Sequence, residues 1–224
     1  MARFRDRDEA GQLLAKKLTN YAKDPNVLVL ALPRGGVVVG FEVAEALNAP
    51  LEILVVRKLG VPGEEELAMG AIATGGVRVL DDEVVRLMGI SDRVIEAVAA
   101  KEEDELRRRE LAYRGQAPPL RVTGMTCIVV DDGIATGSTM KAATGALRQR
   151  CPSKLIVAVP TAAPSACNEL RMVADEVVAL ITPLLFFSVG HWYASFGQTS
   201  DEDVRQLYQR SRPVEKNEPK IIAR

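Results

Sequence analysis

A single histidine, His191, and the lack of any Gly-x-Ser-x-Gly string mean that the chain hardly offers a Ser-His-Asp nucleophile. Cysteine is just as sparse. Cys127, Cys151 and Cys167 form an odd set without a Cys-x-x-Cys pair, which argues against a disulfide framework and against a zinc site. A dominant sign of charge is missing too, because 29 Lys and Arg face 30 Asp and Glu for a net charge of −1. A dedicated duplex-DNA binder carries a basic excess, so no nucleic-acid partner is expected. No apolar run approaches the roughly 18 residues needed to span a bilayer. The greasiest stretch, Val177 to Phe187, is broken by Thr182 and Pro183. The opening residues, Met1-Ala-Arg-Phe-Arg-Asp-Arg-Asp-Glu, lack the apolar core of a secretory signal. These absences point to a soluble, reduced, cytoplasmic protein with no membrane partner.

What is present is aliphatic. Hydrophobic residues make up 47% of the 224 positions and aromatics only 4%, the material of a parallel sheet covered by helices. The length suits one domain with a substantial core, or two small ones. Short apolar runs alternate with helical stretches. Asn26 to Leu32 reads as a strand that stops at Pro33-Arg34-Gly35-Gly36, and Val37 to Leu47 as a helix ended by Asn48-Ala49-Pro50. Leu51 to Val56, Thr126 to Val130, Lys154 to Val159 and Glu176 to Leu180 read as further strands. Helices fit at Ser138 to Arg150 and Pro164 to Val173. The expectation is an α/β fold, doubly wound, with a mainly parallel five-stranded sheet flanked by helices.

Two insertions interrupt this alternation. Leu67 to Ala73 and Val77 to Leu80, joined by Thr74-Gly75-Gly76, predict a hairpin. Ser91 is placed to cap a long helix running to about Tyr113, with acid-before-base pairs at Glu103/Arg107, Asp104/Arg108 and Glu105/Arg109. Arg107-Arg108-Arg109 reads either as an anion clamp or as a solvated face balanced by its own acids.

The chemistry is concentrated in Ile128-Val-Val-Asp131-Asp132-Gly133-Ile134-Ala135-Thr136-Gly137-Ser138-Thr139. A buried strand delivers two carboxylates to its carboxyl end, where open α/β sheets place their ligands. A glycine turn follows, then hydroxyls, then a helix start with free N–H groups and a positive dipole end. The loop suits a phosphate, and the acids beside it suit sugar hydroxyls or a metal. It is neither a Walker A loop nor a Gly-x-Gly-x-x-Gly turn. An ordinary turn with a helix cap would explain Asp131-Asp132-Gly133 alone, but not the whole string.

That string resembles the phosphoribosyl-diphosphate (PRPP) binding motif of type I phosphoribosyltransferases. The resemblance implies that Asp131 and Asp132 hold the ribose hydroxyls directly or through Mg²⁺. It places Ala135, Thr136, Gly137, Ser138 and Thr139 around the 5′-phosphate. Pro33, Arg34, Gly35 and Gly36 fall where this family keeps a diphosphate-binding loop. Arg57 and Lys58 fall where a mobile catalytic loop starts, ahead of Gly60 to Glu66. The acidic run Glu64-Glu65-Glu66 is odd for a lid over diphosphate, and either points outward or binds metal. Leu32-Pro33-Arg34-Gly35-Gly36, Arg57-Lys58-x-Gly-x-Pro-Gly, Glu66-Leu-Ala-Met-Gly and Ser188-Val-Gly-His-Trp-Tyr193 together resemble a bacterial group of stand-alone phosphoribosyltransferase-like proteins.

The implied activity is Mg²⁺-dependent transfer of 5-phosphoribosyl from PRPP to a nitrogenous acceptor such as a nucleobase, with release of diphosphate and, as family members often pair, a homodimer. The single domain would carry a small hood, from about 1–20 and 182–224, that chooses the acceptor. Phe186, Phe187, Trp192, Tyr193 and Phe196 crowd one stretch of the tail. Trp192, Tyr193 and Phe196 are the candidates for stacking on a flat base, at about 1–3 kcal/mol per base. Filling the hood's own core explains such a cluster equally well, and His191 suits either a surface position or a base-edge donor. Two other readings fit the same residues: a non-catalytic PRPP or nucleotide sensor, and a hydrolase acting on a sugar phosphate.

Overall fold

A computed structural model of the chain describes residues 3–212. Five strands, Val27–Ala31 (β1), Leu51–Ile53 (β2), Thr126–Val130 (β6), Lys154–Thr161 (β7) and Glu176–Ile181 (β8), form a sheet ordered β2-β1-β6-β7-β8. Every neighbouring pair in it is parallel. Between β2 and β6 the chain builds a second, antiparallel sheet from Val56–Val61 (β3), Glu64–Ala73 (β4) and Val77–Leu80 (β5). The predicted hairpin is β4–β5, with β3 added along its free side.

Along the central strands, buried throughout, successive side chains enter opposite faces of the sheet. Val27, Val29, Ala31, Ile128 and Val130 face one cluster with Arg7–Lys17 (α1), Gly35–Leu47 (α2), Asp92–Arg114 (α4) and Asp201–Ser211 (α7). Leu28, Leu30, Cys127 and Val129 face the other, with Ser138–Arg148 (α5) and Pro164–Leu170 (α6). Both faces of each strand are therefore dry, which is why these runs are continuously apolar rather than alternating. Each fully buried Val, Leu or Ile contributes about 1.5–3 kcal/mol. Cys127 serves as a small hydrophobe, and burial pushes its thiol up to about 12. No helix among the described residues is long and apolar enough to cross a membrane.

Helix ends follow local chemistry. Asn48 closes α2 in the left-handed region at φ 51, as Asn tolerates. Ser200 caps α7 in a reciprocal capping box with Asp203. Ser91 sits at the N-cap of α4 but its side chain makes no cap bond. The helices expected to reach Arg150 and Val173 stop at Arg148 and Leu170, the chain then turning through Cys151 at φ 50 in the first case. The N-terminal segment expected in the hood contains α1, whose N-cap Asp6 accepts the Glu9 N–H at 2.9 Å and whose Leu14 and Ala15 enter the main core. The outer parts of that expected hood, 1–2 and 213–224, lie outside the described residues.

The second strand is shorter than the apolar run predicts, ending at Ile53 rather than Val56. Leu54 still donates its N–H to Ala31, but Val55 is captured by Thr74 at the end of β4. The Val55 N–H donates to Thr74 Oγ1 at 2.8 Å, and the Thr74 N–H donates to the Val55 carbonyl at 2.8 Å. This exchange, at a residue 2% exposed, diverts the chain from one sheet into the other. Thr74→Val keeps the shape and removes the acceptor, leaving a buried N–H unpaired, which costs about 1–3 kcal/mol. Urea denaturation should show that loss with an unchanged m-value; a midpoint within error of wild type would remove Thr74 as the junction.

Candidate functional site

Strand order reverses between β1 and β6, so the crevice outside their carboxyl ends is the place where an open α/β sheet receives ligands. The segment leaving β1 is Leu32-Pro33-Arg34, and the segment leaving β6 is Asp131-Asp132. The topology thus brings together two stretches about 100 positions apart in sequence.

Asp131 Oδ1 accepts the Asp132 N–H at 2.8 Å. Burial and the neighbouring Asp132 charge hold the Asp131 carboxyl well above the usual carboxylate range. Burial raises Asp132 as well, against the pull of Arg7. Arg7, at the start of α1, donates from Nε to Asp132 Oδ2 at 2.7 Å and from Nη1 to the Gly197 carbonyl at 2.7 Å. Its guanidinium carbon lies 3.8 Å from the centre of the Phe196 ring, a cation–π contact. The Tyr193 hydroxyl donates to the Asp132 carbonyl at 2.5 Å. Burial and the Asp132 charge push that phenol upward. Sequence reasoning missed Arg7: it is 125 positions from Asp132, and nothing in its spacing singles it out.

Gly133 to Thr139 run from this acid pair into α5. The Ile134 N–H donates to the Thr161 carbonyl, and the Ile134 carbonyl accepts from Ala163, both at 2.9 Å, pinning the loop to the end of β7. A Cβ at Gly133 would sit 2.5 Å from Val189 Cγ1, so the loop passes tightly under the tail. Gly137 takes φ +79 as the N-cap of α5, a conformation that favours glycine, and no side chain caps the helix. The first-turn N–H groups of α5 are left without intrahelical partners. Ala135, Thr136, Ser138 and Thr139 are exposed around them, with the Thr136 and Ser138 hydroxyls 3.2 Å apart.

The Pro33–Arg34 stretch differs from the expected glycine loop. Gly35 and Gly36 are the first residues of α2, and the Pro33–Arg34 peptide is cis. The glycines let that helix start lie directly against the acid pair. A Cβ on Gly35 would be 1.9 Å from Asp132 Oδ2, and one on Gly36 would be 2.8 Å from Asp131 Cα. The Arg34 side chain is 3.6 Å from Asp201 Oδ1, which also accepts the Tyr113 hydroxyl at 2.8 Å.

Arg57 and Lys58 do not end the second strand; they lie within β3, which belongs to the antiparallel sheet. Gly60 to Glu66 forms a strand, a turn at Pro62-Gly63 and the start of β4 rather than an open loop. The Glu65 carboxylate is used inside that turn, accepting the Gly63 N–H at 3.3 Å. Arg57 pairs with Glu102 of α4 at 2.6 Å, and with Lys58 it lines a cavity of about 570 Å³ between β3 and α4. Asp131 and Asp132 are not among the residues lining it.

Trp192 and Tyr193 are buried with Phe4 and Ala10 as the core of the cap, so neither offers a ring face to a flat ligand. Phe196 is 39% exposed. His191 lies at the surface between Phe187 and Trp192. Arg107 pairs with Glu103, while Arg108 and Arg109 both hold Glu105, lowering its carboxyl to about 2. The expected Asp104/Arg108 contact gives way to Glu105 one turn back, and this basic run is balanced by its own helix.

The profile of the family described as "Phosphoribosyl transferase domain" matches residues 7–193, from Arg7 to Tyr193. Two Mycobacterium tuberculosis proteins, from strains CDC 1551 and H37Rv and each named a "Putative phosphoribosyl transferase", are 47% identical over 211 residues. The match takes in 94% of this chain and 47% of theirs, so the chain spans about half the length of these curated relatives. The crystal structure of TT1426 from Thermus thermophilus is 43% identical with a TM-score of 0.85, over 94% of this chain and 100% of that one. A family profile that takes in both the Arg7 contact and the acid pair, with near-half identity to relatives that bear the family's name, establishes that this chain belongs to the phosphoribosyl transferase family.

Proposed function

We propose that this protein transfers the 5-phosphoribosyl group of PRPP to a nitrogen of a small acceptor such as a nucleobase, with Mg²⁺ and with release of diphosphate. The observation that carries this reading is the continuous unit of β6, Asp131-Asp132, the loop at 133–137 and the uncapped start of α5. That unit sets two hard oxygen donors beside an uncapped helix start of the kind that suits an anion. In the transfer, the C1–O bond to diphosphate breaks and an N–C1 bond forms. The diphosphate keeps the electron pair of the broken bond, and the acceptor nitrogen gives up its proton.

Charge dictates what the site must supply. The sugar passes through an oxocarbenium-like state while a polyanion departs, so donors and cations placed in advance do most of the work. The first turn of α5 and the hydroxyls of Thr136, Ser138 and Thr139 suit the 5′-phosphate. Asp131 and Asp132 suit the ribose hydroxyls. The same two carboxylates fit Mg²⁺, which binds through one or two carboxylates while substrate oxygens and water complete its shell. The described residues contain no cluster of three or more His, Cys, Asp or Glu side chains that would enclose a metal, so such an ion would draw on substrate oxygens. When bound, the metal would neutralise charge developing on the leaving group.

Titrating the protein with PRPP and Mg²⁺ while following the melting temperature tests this directly. Ligand at 100 times Kd stabilises by about 2.7 kcal/mol, roughly 5–10 °C in a chain of this size. A screen of free bases should then release diphosphate only when the correct acceptor is present. A melting shift without release under any acceptor would replace the transferase with a sensor. A folded protein showing no shift would sink PRPP as the ligand.

A further inference from the structure

The Asp132 Oδ2 atom is enclosed on two sides. Arg7 Nε donates to it at 2.7 Å from the start of α1. Opposite, the backbone of α2 lies so close that a Cβ on Gly35 would be 1.9 Å from the same oxygen and 2.9 Å from Arg7 Nε. The carboxylate side chain is 15% exposed and that of Arg7 12%. A divalent cation or a ribose hydroxyl that approaches this oxygen therefore meets an arginine already there. Magnesium demands near-ideal octahedral geometry and keeps water in its shell. It competes with the guanidinium for Oδ2, since both are cations and both need its lone pairs.

Arg7 is also tied to the tail. Its Nη1 donates to the Gly197 carbonyl at 2.7 Å, and its guanidinium carbon lies 3.8 Å from the centre of the Phe196 ring. The residues before it are zipped to the same segment. The Phe4 N–H donates to the Trp192 carbonyl at 2.9 Å, the Ala194 N–H to the Phe4 carbonyl at 2.7 Å and the Ser195 N–H to the Arg5 carbonyl at 2.8 Å. The arginine is thus a clasp between the cap and the acid pair, and among the described residues it is the acid pair's only ion-pair partner.

Resting on the transferase reading for what the acid pair receives, we propose that Arg7 is a resident counter-ion that holds the place of the divalent cation at Asp132 and leaves it when that cation and the ribose hydroxyls bind. Arg7 and the metal are mutually exclusive partners of Asp132 Oδ2. A ligand shifts such an equilibrium only by as much as it prefers the open state. A clasp closed about nine-tenths of the time lowers the apparent affinity about tenfold. Linkage runs both ways, so a cation at the acid pair loosens the tail at 196–197.

Calorimetry with Mn²⁺ alone, which takes the same oxygen ligands as Mg²⁺, tests the clasp on the full chain without PRPP. Arg7→Gln should bind Mn²⁺ about tenfold more tightly than wild type. Phe196→Leu keeps the arginine and its charge while removing the ring against it. That variant should tighten Mn²⁺ by about two- to fivefold, the worth of a cation–π contact. It separates a clasp from a mere change in net charge, and it decides the matter if Arg7→Gln fails to fold. Unchanged, weaker or undetectable Mn²⁺ binding in Arg7→Gln would overturn the inference. So would a gain in Arg7→Gln with none in Phe196→Leu. PRPP does not enter these titrations, and its own melting experiment judges the transferase reading. A melting shift with no gain in either variant leaves that reading standing without the clasp, and a gain without a shift does the reverse.

Discussion

Asp131→Asn and Asp132→Asn should each cost about 10²–10³-fold in diphosphate release, the scale of removing one preorganised electrostatic group, yet shift stability in opposite directions. Among the described residues Asp131 makes no ion pair: its Oδ1 accepts the Asp132 N–H, and the neighbouring Asp132 carboxylate raises it more than Arg7 lowers it. The asparagine oxygen can still accept that bond, so Asp131→Asn removes a buried, repelled charge and should gain about 1 kcal/mol at neutral pH, roughly 2–4 °C. Asp132 is the partner of Arg7, and its removal leaves a guanidinium 12% exposed without its counter-ion. Breaking a buried pair from one side costs about 3–5 kcal/mol, and this partly solvated one should cost somewhat less.

The dependence on pH has a definite sign. Burial and Asp132 raise the Asp131 carboxyl in the folded protein, so between the ordinary carboxylate value and the raised one the native state binds more protons than the unfolded chain. Wild-type stability therefore falls as pH rises through that window, and Asp131→Asn lacks this slope. Its advantage should be larger at pH 8 than at pH 5. Melting curves at the two values check it, and a constant difference between variant and wild type would refute the buried-charge account.

The parts of this molecule legible in its sequence are those governed by local rules. Continuous apolar runs declare β1, β6 and β7 because strands dry on both faces need no polar residue, and β8 shares the pattern although it is the half-buried edge strand. The loop at 133–137 is legible because glycines between a buried apolar run and a helical stretch mark a tight turn into a helix start, which Gly137 makes at φ +79. What stayed hidden depends on long-range contacts. Leu51 to Val56 is one run by composition, and only Thr74, nineteen positions beyond Val55, decides that it divides between two sheets. The position of Arg57 depends on Glu102 of a helix that packs against β3. Trp192 and Tyr193 carry the same aromatic signal whether they fill a cap or stack on a base, and Phe4 and Ala10 decide it. Arg7 has no local signal at all, because its partners come from the distant ends of β6 and the tail.

Gly35 and Gly36 illustrate the same division, because the sequence marks both as special and the packing gives them different work. Alanine in a helix is favoured over glycine by about 1 kcal/mol, so on propensity alone either substitution would stabilise α2. At Gly36 the added methyl meets the Asp131 Cα at 2.8 Å and the Val130 carbonyl at 2.9 Å, both backbone atoms at the end of a central strand. That strand is hydrogen-bonded on both sides and cannot yield, so overpacking of about 1–3 kcal/mol or more outweighs the propensity gain. Gly36→Ala should lower the melting temperature by roughly 3–8 °C at this chain length. At Gly35 the atoms in the way are the Asp132 carboxylate and Arg7 Nε, both of which belong to side chains. Gly35→Ala should therefore turn Asp132 away from Arg7, losing stability as Asp132→Asn does, and in addition a displacement near 1 Å costs about 10²-fold in turnover. Thermal melts with diphosphate-release assays on the two variants separate the effects. A Gly36→Ala protein that melts with the wild type would show that α2 is not locked against the end of β6.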